Sequence, residues 1–267
     1  MESHSSISLR ERRLAEWKAR KAAQENSGPN IYEFVDWDTL HNYLYANWKQ
    51  GEHFAIVGPT GAGKTTFESR ILPIRTYVVI FVTKIYDDTL ALDFPGFERI
   101  TRWPPKGYQE RVLLWPDYDK RTVMQALRGR QDSIRDIIIK QRTVFKNALD
   151  RIFKDRSWTV VFDEQHYMCQ VLKLEPENAM YLHQGRSSGL TVVNGTQRPA
   201  WVPVVTYSSA SHAAIWNTTY KDDLKRLSDL GGLNSRELEN NIQRLGKHEF
   251  IYVNTRQGDV MRSQVRR

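Results

Sequence analysis

Apolar positions along this chain come in two rhythms. In the first, short runs are apolar almost throughout: "HFAIV" at 53–57, "TYVVIFVT" at 76–83, "RVLLW" at 111–115, "WTVVF" at 158–162, "LTVVNGT" at 190–196, "HAAIWN" at 212–217 and "HEFIYVN" at 248–254. Rich in β-branched and aromatic residues and bounded by polar turns, these runs predict strands buried on both faces. In the second rhythm, apolar residues recur at helical spacing. Asp36 is placed to cap a helix over "WDTLHNYLYANWKQ", which Gly51 stops. A second helix runs from about Lys64 and ends before Pro73. Residues 119–154 hold no proline and read as one long helix or two, and "DDLKRLSDL" and "SRELENNIQRL" add helices near the end. Between them, 86–118 is punctuated by Pro95, Pro104, Pro105 and Pro116 and reads as irregular around its one strand. Apolar strands separated by helices predict an α/β fold, a central mostly parallel sheet flanked by helices on both faces.

Composition narrows the class. The chain has 267 residues, 40% hydrophobic and 26% charged, which suits one large α/β domain or two small ones and argues against global disorder. Its longest apolar run, "TYVVIFVT", is far short of the roughly 20 residues of a membrane span. The first residues hold no apolar stretch that would pass for a signal peptide. A single cysteine, Cys169, excludes an intrachain disulfide. A soluble, cytoplasmic protein is the expectation. The net charge of +8 points toward an anionic partner. Basic residues gather in "LRERRLAEWKARK" at 9–21 and in the closing "MRSQVRR". The expected organisation is a basic N-terminal arm over 1–30, one domain over 31–257 and a basic tail over 258–267.

Candidate chemistry begins at "GPTGAGKT", Gly58 to Thr65, which fits G-x-x-x-x-G-K-[ST] at every fixed position. An apolar strand precedes it and a helix follows, as a phosphate loop requires. Backbone N–H groups of Gly58, Pro59, Thr60, Gly61, Ala62, Gly63, Lys64, Thr65 and Thr66 (proline excepted as a donor) would surround the phosphates of ATP, helped by the helix N-terminus. Lys64 would reach the β- and γ-phosphates, and the Thr65 hydroxyl would hold Mg²⁺. "TVVFDEQ", 159–165, is an apolar strand ending in two acids. Asp163 would hold Mg²⁺ through its water shell, and Glu164 would polarise the attacking water as general base. A protein that only bound nucleotide would not need Glu164. His166 and Cys169 have H-x-x-C spacing but no second pair to complete a zinc site, so both read as structural. Lys84 and Asp87, after the second strand, read first as residues of a solvated loop, with a place near the nucleotide as the alternative.

About twenty residues further on, "YLHQGRSSGLTVVNGTQRP" reads as a helix, a polar turn, a buried strand and then Gln197. At the C-terminal end of a parallel strand, that amide could bond both the γ-phosphate and the lytic water. Arg186, in the turn before the strand, would lie toward the subunit edge and could reach a neighbour's γ-phosphate. Arg198 or another arginine is the alternative for that role.

The order "GPTGAGKTT", "VVFDEQ", "GRSSGLTVVNGTQRP" resembles the FtsK/HerA superfamily of P-loop ATPases, ring-forming motors that move DNA. The resemblance covers roughly residues 35–255, including "LGKHEFIYVNTRQGDV", which is similar to the family's closing strands. It implies an ASCE/RecA-like P-loop NTPase fold and ATP hydrolysis with Mg²⁺. It implies Lys64 and Thr65 at phosphate and metal, Asp163 on the metal side, Glu164 as base, Gln197 as sensor and Arg186 as a finger acting in trans. It further implies double-stranded DNA as partner and a homo-oligomeric ring, six subunits favoured over five. Without a membrane segment or a large extra domain, the chain is most similar to a viral genome-packaging ATPase or a compact HerA-type translocase. A viral portal or capsid protein is then an expected partner, and host cytoplasm at a capsid vertex the expected location. An assembly ATPase of the zonula occludens toxin type, or a non-motor nucleotide switch, are the alternatives.

Overall fold

The computed structural model describes residues 32–87, 90–227, 230 and 234–265. The expected basic arm over 1–30 lies outside the described residues. The strands are β1 (His53–Val57), β2 (Val78–Phe81), β3 (Glu98–Ile100), β4 (Arg111–Leu114), β5 (Thr159–Phe162), β6 (Thr191–Thr196), β7 (Ala210–Trp216), β8 (Glu249–Asn254) and β9 (Asp259–Gln264). They form one sheet in the order β3-β4-β2-β5-β6-β1-β7-β8-β9. Every pairing from β3 to β7 is parallel, whereas β8 runs antiparallel to both β7 and β9.

The helices are α1 (Trp37–Asn47), α2 (Lys64–Ile71), α3 (Leu90–Asp93), α4 (Lys120–Leu127), α5 (Gln131–Asp155), α6 (Glu175–Gln184), α7 (Val205–Ser208), α8 (Lys221–Leu227) and α9 (Ser235–Gln243). Asp36 caps α1, its carboxylate accepting from the Thr39 N–H at 2.9 Å. Alternation along each strand divides the core between two faces. Phe54, Ile56, Val161 and Val193 pack on one face with Leu40, Leu44, Phe67 and Ile71 of α1 and α2. On the other, Val160, Phe162 and Val192 meet Phe145, Leu149 and Ile152 of α5, while Ala55, Val57 and Ile215 meet Leu224, Leu238 and Ile242 of α8 and α9. The sheet is thus covered on both sides, which is why its central strands are largely apolar.

Two segments differ from the pattern-based expectation, and a third settles between its two readings. The 86–118 region contains β3, paired in parallel with β4. Only Ile100 of its three residues is buried, so there is no alternation to detect. The 119–154 stretch is two helices, broken at Gly129, whose φ of +80° leaves the helical region. The basic tail set at 258–267 is corrected: Asp259–Gln264 pair with β8 along its whole length. Met261 and Ser263 are buried, but Arg262 between them and a serine at the second buried position hide the period. The chain entry also docks here, since the Val35 N–H donates to Arg262 O and the Arg262 N–H to Glu33 O, each at 2.8 Å.

Candidate nucleotide and catalytic site

The C-terminal ends of β1, β2, β5, β6 and β7 share one edge of the sheet, where ligands of parallel α/β sheets bind. At this edge lies a cleft of about 720 Å³, of the size that holds a nucleotide. Its floor is the phosphate loop. β1 ends at Val57, Gly58 N–H is tied to Thr196 O at 3.1 Å, and α2 begins at Lys64. Gly63, at φ +112°, makes the turn that aims the first N–H groups of α2 back into the loop. Lys64 is buried, and its ammonium donates to Gly58 O at 2.7 Å and Pro59 O at 3.1 Å. Burial holds the Lys64 pKa below its ordinary value, opposed by Glu68, Asp163 and Glu164. Thr65 and Thr66 line the cleft beside it.

Asp163 and Glu164 leave β5 into the same cleft. Burial pushes the Asp163 carboxyl above its usual range; Lys64 and Lys84 pull it down and Asp87 adds to the rise. Glu164 is raised by burial too, with Lys64 opposing, Asp163 reinforcing and the bond from Gln197 opposing. Asp163 comes close to β6 because position 195 is glycine. A Cβ there would stand 2.4 Å from the Asp163 carbonyl oxygen, a distance no side chain tolerates. A buried amide chain then fixes the acidic turn. Gln165 Nε2 donates to Asn178 Oδ1 at 3.1 Å and to Thr206 Oγ1 at 2.6 Å, and Asn178 Nδ2 donates to Asn194 Oδ1 at 3.2 Å. The residue after the acid pair is thereby locked to α6, α7 and β6.

Gln197 sits just past β6 and bridges the two halves of the site. Its Nε2 donates to Glu164 Oε2 at 3.1 Å, and its Oε1 accepts from the Thr60 hydroxyl at 2.8 Å. An ionised carboxylate only accepts, so the amide nitrogen must face it. The next residue clamps this arrangement. Arg198 Nε donates to Asp223 Oδ2 at 2.8 Å, and its guanidinium lies 4.6 Å from the Trp201 ring centre and 4.0 Å from that of Tyr220. Asp223 is fully buried and also accepts from the Ala200 N–H at 3.0 Å. Arg198 is therefore committed within its own subunit. Asp223→Asn is expected to lower kcat by on the order of 10²-fold through misplacement of Gln197. Affinity for a non-hydrolysable ATP analogue should stay the same. Turnover at saturating ATP, measured beside a binding titration, separates the two; parallel losses would assign Asp223 to folding alone.

Other expected positions are resolved as follows. Lys84, read as part of a solvated loop, lines the cleft instead; its Nζ pairs with Asp87 Oδ2 at 2.5 Å. β2 ends only three residues before it, a topological fact with no local sequence signature. His166 Nδ1 donates to Trp201 O at 3.3 Å, and burial pushes the Cys169 thiol up to about 12. Arg186 lies in the turn Gly185–Ser188 before β6, exposed, at the opposite end of that strand from Gln197. Six residues of strand separate the two ends by roughly 20 Å. Arg186 cannot reach the cleft of its own subunit. Sequence reasoning missed Gln165, Asn178, Asn194, Thr206 and Asp223; a polar residue inside an apolar strand, Asn194, was the one local signal available.

No protein-family profile and no curated protein sequence matches the chain. Solved structures do. The genome-packaging NTPase B204 from Sulfolobus turreted icosahedral virus 2, in complex with AMP, matches with a TM-score of 0.53 at 15% identity, over 79% of this chain and 96% of that one. Its complex with AMPPCP gives 0.52 at 15% identity over 79% and 96%. No helix of the described residues is long and apolar enough to cross a membrane. The chain therefore has the mixed α/β, mostly parallel P-loop NTPase fold of that viral packaging enzyme.

Proposed function

We propose that this protein is an ATP-hydrolysing, DNA-translocating motor of the viral genome-packaging type, working as a homo-oligomeric ring. The observation that carries the reading is the Thr60–Gln197–Glu164 chain of hydrogen bonds across the cleft, with Lys64 and Asp163 beside it. The phosphate loop would bind the triphosphate, and Lys64 would hold its β- and γ-oxygens. Thr65 and Asp163 offer a hydroxyl and a carboxylate, hard oxygen donors that suit Mg²⁺ together with phosphate oxygens and water. When bound, that ion would neutralise charge on the β- and γ-phosphates.

Glu164 takes a proton from the attacking water as the water oxygen bonds to the γ-phosphorus. The bond from that phosphorus to the β–γ bridging oxygen breaks, its electron pair leaving with ADP. Gln197 bonds both Glu164 and Thr60 of the phosphate loop, an arrangement that would let it couple an arriving γ-phosphate to the position of Glu164. Arg186 would serve the site of a neighbouring subunit. The B204 structures, solved with AMP and AMPPCP, support nucleotide as the ligand, and their description as a genome-packaging NTPase supports a nucleic-acid genome as the load.

The test is ATPase turnover of the assembled protein with and without double-stranded DNA. DNA is expected to raise turnover, with stimulation falling steeply as salt rises from 50 to 200 mM, because backbone grip releases counterions. A rate indifferent to DNA at low salt would overturn the motor reading while leaving the ATPase intact.

A further inference from the structure

Two residues outside the phosphate loop, the acidic pair and the Gln197 block, His248 and Val265, line the cleft on its other flank. β1, which carries the phosphate loop, has β6 and β5 on one side and β7, β8 and β9 on the other. Asp163, Glu164 and Gln197 all come from the β5–β6 side. His248 precedes β8 and Val265 follows β9; because β8 is antiparallel to its neighbours, both arrive at the same edge as the phosphate loop. They are docked onto the loop itself. His248 Nδ1 lies 3.1 Å from Ala62 O, and Val265 Cγ1 would be 3.0 Å from a Cβ at Gly63. His248 is held at φ +62°, a backbone state that residues other than glycine adopt only when their surroundings impose it.

The hydrogen-bond pattern specifies what the ring can meet. A carbonyl only accepts, so His248 Nδ1 carries the hydrogen toward Ala62, and in the neutral ring Nε2 is left as an acceptor. Phosphate oxygens are acceptors as well and would be poor partners for that nitrogen. The acid and amide that act on the terminal phosphate stand on the β5–β6 flank, so the opposite end of a nucleoside triphosphate must leave the loop toward the β7–β9 flank.

Resting on the ATPase reading, we propose that His248 and Val265 form the nucleoside wall of the site, with His248 Nε2 accepting a hydrogen from a ribose hydroxyl or an exocyclic amino group of the base. The closing hairpin of the sheet thereby selects for the nucleoside, while the phosphate loop reads the phosphates.

The experiment titrates the full chain with ATP, 2′-deoxyATP, 3′-deoxyATP and inorganic triphosphate, each with Mg²⁺. His248→Ala is expected to weaken ATP binding about tenfold, the value of one such hydrogen bond, and to leave triphosphate binding unchanged. If either deoxynucleotide binds the wild type about as weakly as ATP binds the variant, and is indifferent to the substitution, the partner is the missing ribose hydroxyl. If both lose affinity as ATP does, the partner is the base. His248→Gln, which keeps an acceptor, should recover part of the loss and covers the case in which the alanine variant does not fold. Equal losses for ATP and triphosphate would make His248 a prop for Ala62 and overturn the proposal, as would no loss for either. Wild-type protein that binds neither ligand would instead overturn the nucleotide reading itself.

Discussion

Glu164→Gln is expected to lower kcat by about 10²–10⁴-fold, the usual contribution of a positioned general base, with ATP affinity unchanged. Glutamine has the size and shape of glutamate but cannot take a proton from water. It can still meet Gln197 across 3.1 Å, since an amide both donates and accepts, so the bridge to Thr60 survives. The phosphate loop lies on separate elements, β1 and α2, and its folding does not depend on the substituted charge. A single-turnover assay with saturating ATP, beside equilibrium binding, gives both quantities. Turnover that survives the substitution would remove Glu164 from the chemical step. Loss of binding together with turnover would move Glu164 from proton transfer to nucleotide retention.

The second large effect belongs to Arg186. In the assembled protein, Arg186→Ala is expected to lower kcat by about 10³–10⁵-fold, as loss of an arginine finger does elsewhere. The single-subunit structure excludes a direct role in cis. Arg186 stands at the start of β6 and Gln197 just past its end. Mixing gives the decisive measurement. An Arg186→Ala subunit keeps an intact cleft, and a Lys64→Ala subunit keeps an intact Arg186. Where the second neighbours the first, one complete site forms, so mixtures of two inactive proteins should regain part of the wild-type turnover. No recovery at any mixing ratio would overturn the trans role. The same assay tests the ring, because recovery requires contact between subunits. Arg198, an alternative finger, is tied to buried Asp223 and to two aromatic rings, and is better suited to holding the loop that carries Gln197 than to reaching another subunit.

Much of the architecture was legible because it is written locally. Runs such as "HFAIV" and "TVVF" are apolar without alternation, which only a sheet covered on both faces produces, and that is what β1 and β5 form. Asp36 caps α1 with its own carboxylate three residues from the N–H it binds. Illegible elements lacked a period long enough to read. β3 has three residues with one buried, and β9 buries only a methionine and a serine, with an arginine between them. Lys84 read as a solvated loop residue because its charge is ordinary for a loop, and only the parallel pairing of β2 with β5 turns that loop toward Asp163.

The amino-acid sequence by itself determined the phosphate loop, the acidic pair behind an apolar strand, and the alternation of strands with helices, because each depends on neighbours within a few residues. Tertiary structure alone decided which of these meet. Thr60 and Gln197 are 137 residues apart and share a hydrogen bond because β6 lies next to β1. Arg198 finds Asp223, His248 finds Ala62, and Arg186 is sent to the far end of its strand, for the same reason. Strand order is set by burying both faces of a sheet at once, a condition on the whole chain that no local pattern of residues contains.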